Sequence, residues 1–177
     1  ISTRARKVMI VAHPDDETLW GSHALYRDKY LVVCVTCGQV DERVDEFSKV
    51  MRTSKDDYIM LNYPDLVNGK KSEWKDEYDD ISKDIRKILS SKDWELVVTH
   101  NPDGEYGHIH HKLTSKIVTN NVKHNKLYYF GRFYWDEIPN KDKLYKLTDE
   151  EFKFKTEKMI PIYGTQESAI RNLKNIK

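Results

Sequence analysis

The chain is expected to be an α/β protein, a Rossmann-like three-layer sandwich with a mostly parallel sheet of strand order 3-2-1-4-5. Two patterns predict this. Short apolar runs such as Lys7-Val8-Met9-Ile10-Val11-Ala12 and Leu31-Val32-Val33-Cys34-Val35 lack polar alternation, which marks strands buried on both faces. Between such runs lie stretches with apolar residues three or four apart, clearest in Trp74, Tyr78, Ile81, Ile85, Ile88 and Leu89. That spacing is the stripe of a helix lying on a sheet. Strands alternating with helices imply right-handed crossovers and a parallel sheet covered on both sides.

The elements follow in order. His13-Pro14 ends the first strand, and residues 18–29 read as a helix carrying Leu19, Ala24, Leu25 and Tyr26. A second strand spans residues 30–37, stopped by Gly38. Residues 41–61 are read as helical from Val44, Phe47, Val50, Met51 and Tyr58, followed by a weak strand at 62–67 and a turn at Asn68-Gly69. The striped helix covers residues 73–90. Trp94-Glu95-Leu96-Val97-Val98-Thr99 is the fourth strand, and Asn101-Pro102-Asp103-Gly104 has turn chemistry. A helix at 110–121 and an aromatic fifth strand at 127–135 complete the sheet, with its aromatic residues expected mainly in the core. Beyond it a short strand at 145–147 and a helix at 150–160 are expected.

Composition narrows the function. Thirty basic residues against 29 acidic leave a net charge of +1, which offers no basic face for nucleic acid. No apolar run approaches the roughly 20 residues of a spanning helix. Cys34-x-x-Cys37 lies in a strand-like run, so two buried structural thiols are expected rather than a redox pair. The chain begins at Ile1 without a Met, so an upstream signal or anchor stays open. A cytoplasmic location is expected; the oligomeric state is not legible.

Chemistry gathers at two strand ends. Ala12-His13-Pro14-Asp15-Asp16-Glu17 follows the first strand, and a loop holding His100, His108, His110 and His111 follows the fourth. In the expected strand order these two strands are neighbours whose connections leave on opposite faces, opening the crevice where such sheets bind ligands. His13, one of the two aspartates and a histidine from the second loop would suit a divalent cation such as zinc, leaving the other aspartate as general base. The competing reading is that the acidic run merely caps the following helix. His23 and His124 read as packed or solvated, and His100 as a group orienting a ligand.

These residues resemble the LmbE-like (PIG-L) family of zinc-dependent N-acetylglucosaminide deacetylases, through Ala12-His13-Pro14-Asp15-Asp16-Glu17 and Gly107-His108-x-x-His111. The resemblance implies one such domain over residues 1–177, with residues 136–177 a short variable C-terminal part. It further implies His13, Asp16 and His111 as metal ligands, Asp15 as general base, His108 as oxyanion stabiliser in protonated form, and Tyr106 as its helper. Arg52 is expected to hold substrate. The cofactor would be Zn2+, with Fe2+ as another candidate, and the partner an amino-sugar or glycoconjugate substrate. A carbohydrate-binding or catalytically silent homologue that keeps the metal is the alternative. Two departures stand out. The family usually has Pro-Asp between its paired histidines, where this chain has Ile109-His110, and an acidic residue three positions after its arginine, where this chain has Lys55. His110 is therefore a second candidate beside His111.

Overall fold

In the computed structural model, which describes residues 1–134, 144–174 and 176, five parallel strands form the order β3-β2-β1-β6-β7. They are β1 (Lys7–Val11), β2 (Tyr30–Thr36), β3 (Asp57–Tyr63), β6 (Leu96–Thr99) and β7 (Leu127–Tyr129). The expected order holds once a small hairpin, β4 (Leu66–Val67) with β5 (Lys70–Lys71), is numbered in. β1 pairs with β2 (Met9 opposite Val32) and with β6 (Met9 opposite Val98), so the chain reverses its direction of growth at β1.

Alternation along β1 divides the core. Met9 and Val11 face one layer with Val32, Leu25, Phe47 and Met51, while Val8 and Ile10 face another with Val33, Ile81, Ile85 and Ile117. The first layer is covered by α1 (Asp16–Arg27) and α2 (Asp41–Ser54), the second by α3 (Tyr78–Leu89) and α5 (Ile109–Thr119). Between β6 and α5 lies a single bent turn, α4 (Gly104–Gly107). The C-terminal stretch packs on the first layer through Met159, Ile160, Tyr163 and Ile170. It starts with α6 (Asp149–Lys153), set by a Thr148–Glu151 capping box, widens over Phe154–Met159 and ends with α7 (Glu167–Ile170).

Several expected boundaries move. The helix read over 41–61 stops at Ser54, because Lys55 adopts a left-handed φ of 64° and turns its N–H back to Met51. Tyr58, which had continued the helical spacing, lies in edge strand β3 and meets Phe47 edge-on at 5.6 Å. The weak strand at 62–67 is thus corrected to β3 plus the hairpin, whose turn is Asn68-Gly69 with both φ positive. Trp74 leaves the helical stripe at φ 50°, and α3 begins at Tyr78. The fifth strand ends at Tyr129. Phe130 is buried beneath it, but Tyr128 stands 60% exposed rather than in the core. Residue 135 lies outside the described residues. Tyr145–Leu147 forms no strand. Cys34 and Cys37 are buried free thiols. Among the described residues no helix is long and apolar enough to cross a membrane.

Candidate metal centre

The two chemistry-bearing turns meet where β1 and β6 end side by side. His100, at the end of β6, accepts the Ala12 N–H at 3.0 Å through Nε2, and the Ala12 carbonyl is held by the Thr36 N–H and hydroxyl. Burial resists a charge on His100 while Glu105 and Asp16 favour one and bring it up to about 9. The Ala12 donor nevertheless requires a lone pair on Nε2, so the neutral Nδ1–H form fits the bonding.

The turn after β1 is closed in part from within. The His13 N–H donates to Asp16 Oδ2 at 2.8 Å, and the Asp15 N–H to Glu17 Oε2 at 3.0 Å. Glu17 is fully buried, its other oxygen taking the hydroxyls of Thr18 and Tyr163. Asp15 occupies the N-cap position of α1 at φ 118°, yet its side chain makes no capping bond. A carboxylate free of capping duty weighs against the acidic run being only a helix cap. Burial, and then the negative charge of Asp16, push the Asp15 carboxyl well above its usual range.

Three residues bring their donor atoms together, Asp16 facing one histidine through each of its two oxygens. His13 Nδ1 lies 3.2 Å from Asp16 Oδ2, His111 Nε2 lies 3.3 Å from His13 Nδ1, and His111 Nε2 lies 3.3 Å from Asp16 Oδ1. Ligands about 2.0–2.1 Å from a zinc ion and a tetrahedral angle apart are themselves roughly 3.3–3.4 Å apart. Each of the three contacts has about that spacing, so His13, Asp16 and His111 suit the donor set of one cation. Asp16 is held ionised: burial opposes the charge, but His111 and His100 outweigh it. Burial likewise opposes a charge on His13, and bonds to Asp16 and Asp65 overcome it, lifting the ring to about 10. A proton and a divalent cation would compete for that corner.

His111 is aimed by a residue that the sequence did not single out. Glu105, fully buried at a left-handed φ of 57°, accepts from His111 Nδ1 at 2.8 Å and from His100 Nδ1 at 3.0 Å. Carboxylates of this kind fix the tautomer of a ligating histidine and raise its basicity. Asn101 shapes the turn, its side-chain oxygen taking the N–H groups of Asp103 and Glu105. His100 also stacks on His111 at 3.9 Å.

His108 caps α5. Its Nδ1 accepts the His110 N–H at 3.2 Å, which leaves the proton of the neutral ring on Nε2. Burial and the charges of His13 and His111 push its pKa far down. The neutral ring still presents an N–H, whereas the protonated form expected from the sequence would have to give up the bond from His110. Tyr106 stands at the lip, 45% exposed, with its ring 6.0 Å from that of His108.

His13, Asp15, Asp16, His108, His111 and Tyr106 are thus brought together. Arg52 is not. It lies exposed on α2 and reaches only Ser48, at 3.4 Å. The arginine at the site is Arg43, buried one face away, which bonds the Pro14 carbonyl and comes 3.6 Å from Asp15 and 3.2 Å from Glu46. Arg43-Val44-Asp45-Glu46 also has the acidic residue three positions on, which Arg52 lacks. That pattern was the available signal. Glu46 in turn takes the Thr165 N–H and hydroxyl, so the Tyr163–Gln166 segment closes against the site from behind. Arg132 lies 3.6 Å from Asp103 at the surface. His23 packs on Tyr145 and His124 is exposed.

The geometry can be set beside known proteins. The family described as GlcNAc-PI de-N-acetylase (PIG-L) matches residues 8–122, a span holding every residue of the donor set together with Asp15 and His108. The chain belongs to this family. An uncharacterized protein of Acanthamoeba polyphaga mimivirus is 29% identical over 191 residues, covering 98% of this chain and 76% of its own. Among solved structures, the A40926 pseudoaglycone deacetylase Dbv21 superposes with a TM-score of 0.67 at 18% identity, over 98% of this chain and 87% of that one. A triple mutant of a deacetylase from the teicoplanin pathway gives 0.69 at 17%, over 96% and 86%. The zinc-inhibited form of teicoplanin deacetylase Orf2 gives 0.66 at 16%, over 96% and 88%. At these identities the likeness is one of fold.

Proposed function

We propose that this PIG-L chain is a divalent-metal-dependent N-deacetylase, with Zn2+ the cation that best suits its two nitrogens and one carboxylate, acting on an N-acetylglucosamine-type sugar or glycoconjugate. The observation that carries the reading is the convergence of His13, Asp16 and His111 with a carboxylate free of capping, Asp15, beside it. A bound cation would polarise the acetyl carbonyl and acidify water.

The chain's own groups would do the rest. Asp15 accepts the proton of the attacking water and delivers it to the departing amine, a role helped by a carboxyl whose proton affinity is raised. Arg43 fixes the Pro14 carbonyl and holds the Asp15 carboxylate from behind. His108 donates its Nε2–H to the developing oxyanion, and Tyr106 covers the site from the lip. The likeness in fold to the teicoplanin and A40926 deacetylases, and membership of a GlcNAc-PI de-N-acetylase family, support removal of an acetyl group from an amino sugar.

Metal-loaded protein incubated with a panel of N-acetylglucosamine derivatives should release acetate and free amine, read by mass spectrometry. Metal uptake and sugar binding without acetate from any member of the panel would instead support the silent homologue.

A further inference from the structure

We infer that His110, the residue just before His111, is a positioning residue that holds His13 in its metal-ligating tautomer, with the loop after the hairpin setting the direction of the relay. The inference rests on the metal reading above and concerns atoms outside the donor set.

The chain of bonds has a single consistent direction. His110 Nε2 lies 2.6 Å from the carbonyl oxygen of Ser72. A carbonyl only accepts, so Nε2 carries the proton and Nδ1 of the neutral ring carries a lone pair. That lone pair faces His13 Nε2 at 2.9 Å. His13 Nε2 must then be the donor, which leaves His13 Nδ1 unprotonated, toward Asp16 and His111, when the ring is neutral. Asp65 Oδ1 stands 3.5 Å from the same His13 nitrogen and adds a weaker acceptor.

The surroundings fix His110 as firmly as a carboxylate would be fixed. The ring is fully buried and lies flat on Trp74, 4.2 Å between centroids and 2° from parallel. Trp74 is anchored in turn by its indole N–H on the Pro64 carbonyl at 2.7 Å. Residues 64–74 thus wrap under His110 and supply the carbonyl that selects its tautomer. Asp accepts a hydrogen bond in any orientation, whereas His accepts on Nδ1 only while Nε2 holds its proton. A His at this position therefore makes the ligand geometry at His13 depend on the hairpin connection.

Zinc affinity, measured by competition with a chromophoric chelator, tests this without reference to turnover. His110→Leu should weaken zinc binding about 10- to 100-fold, the range for loss of a group that orients a ligand. His110→Asp should restore most of it, and apo-protein circular dichroism should match wild type in both. Long-range 1H–15N NMR of the zinc-loaded wild type should show His110 protonated on Nε2 and bare on Nδ1. Equal zinc affinity in wild type and His110→Leu would overturn the relay, as would a protonated His110 Nδ1. A second zinc equivalent lost on His110→Leu would overturn it too, by making the 2.9 Å contact a cation site. If His110→Leu does not fold, the NMR assignment and the His110→Asp affinity decide alone. No zinc uptake by wild type would instead defeat the metal reading itself.

Discussion

The turn after β1 joins short-range bonds of its own to ties from distant elements, while the loop after β6 aims His111 from within and rests His110 on a distant connection. In the first, bonds between His13 and Asp16 and between Asp15 and Glu17 span two or three residues. In the second, His111 depends on Glu105 in a strained conformation, and His110 on Ser72 and Trp74 from a hairpin connection nearly 40 residues earlier. Both regions thus carry part of their precision in residues that look unremarkable in sequence, Arg43 and Tyr163 for the first and Glu105 and Trp74 for the second.

The sharpest way to break this comparison is to remove chemistry from the first turn without touching its bonds. Asp15→Asn keeps the backbone N–H that binds Glu17 and leaves the donor set intact. It should lower kcat/KM by about 10²–10⁴, the usual worth of a general acid–base. Zinc affinity should stay within a few-fold. A large loss of zinc would show that Asp15 belongs to the donor set and not beside it.

Support for the second loop is tested next, at Glu105. Glu105→Gln replaces an acceptor of three bonds with a group that can offer an N–H toward His111 or His100. Zinc affinity should fall about 10- to 100-fold, with Asp15 unaffected in its own position. Unchanged zinc affinity would mean that stacking on His100 alone aims His111.

Legibility in the sequence follows the same division. The strands β1, β2 and β6 were readable because each is an apolar run buried on both faces, and the strand order followed from their alternation with helices. The end of α2 was not readable, because Lys55, not a glycine, takes the left-handed position and Tyr58 keeps the helical spacing into β3. At the site, His13, Asp15, Asp16 and His111 were marked by their adjacency in two turns. Arg43, Asp65 and Glu105 acquire roles only from tertiary placement. Arg43 meets Asp15 across 28 residues of chain, and nothing in its immediate neighbours distinguishes it from Arg52 except Glu46.

Cation removal tests both regions together, since the donor set takes two residues from the first turn and one from the second. Zinc at about 100 times its dissociation constant should stabilise the folded chain by about 2.7 kcal/mol, seen as a rise in Tm over chelator-treated protein. Asp16→Ala should abolish that rise. A Tm insensitive to zinc in the wild type would separate the two turns energetically and leave their proximity without a shared ligand.

The smallest expected effect lies away from both turns and serves as their reference. Asp56 follows α2, where Oδ1 accepts the Tyr30 N–H at 2.7 Å and buried Oδ2 meets the geometric criteria for no hydrogen bond among the described residues. Burial pushes this carboxyl up from 3.8 to about 6. A raised folded pKa means that the folded chain binds more protons over that interval, so stability present below pH 3.8 is lost as pH rises toward 6. Asp56→Asn keeps an acceptor for Tyr30 and removes the charge. It should gain stability over wild type across that window and hold a plateau of about 1–2 kcal/mol at neutral pH, a value discounted for partial solvation. Denaturant unfolding at pH 4, 5, 6 and 7 reads the trend. Because Asp56 touches neither turn, zinc affinity should be the same in both proteins; a change there would mean that the α2–β3 junction, and not only the hairpin connection, supports the metal centre.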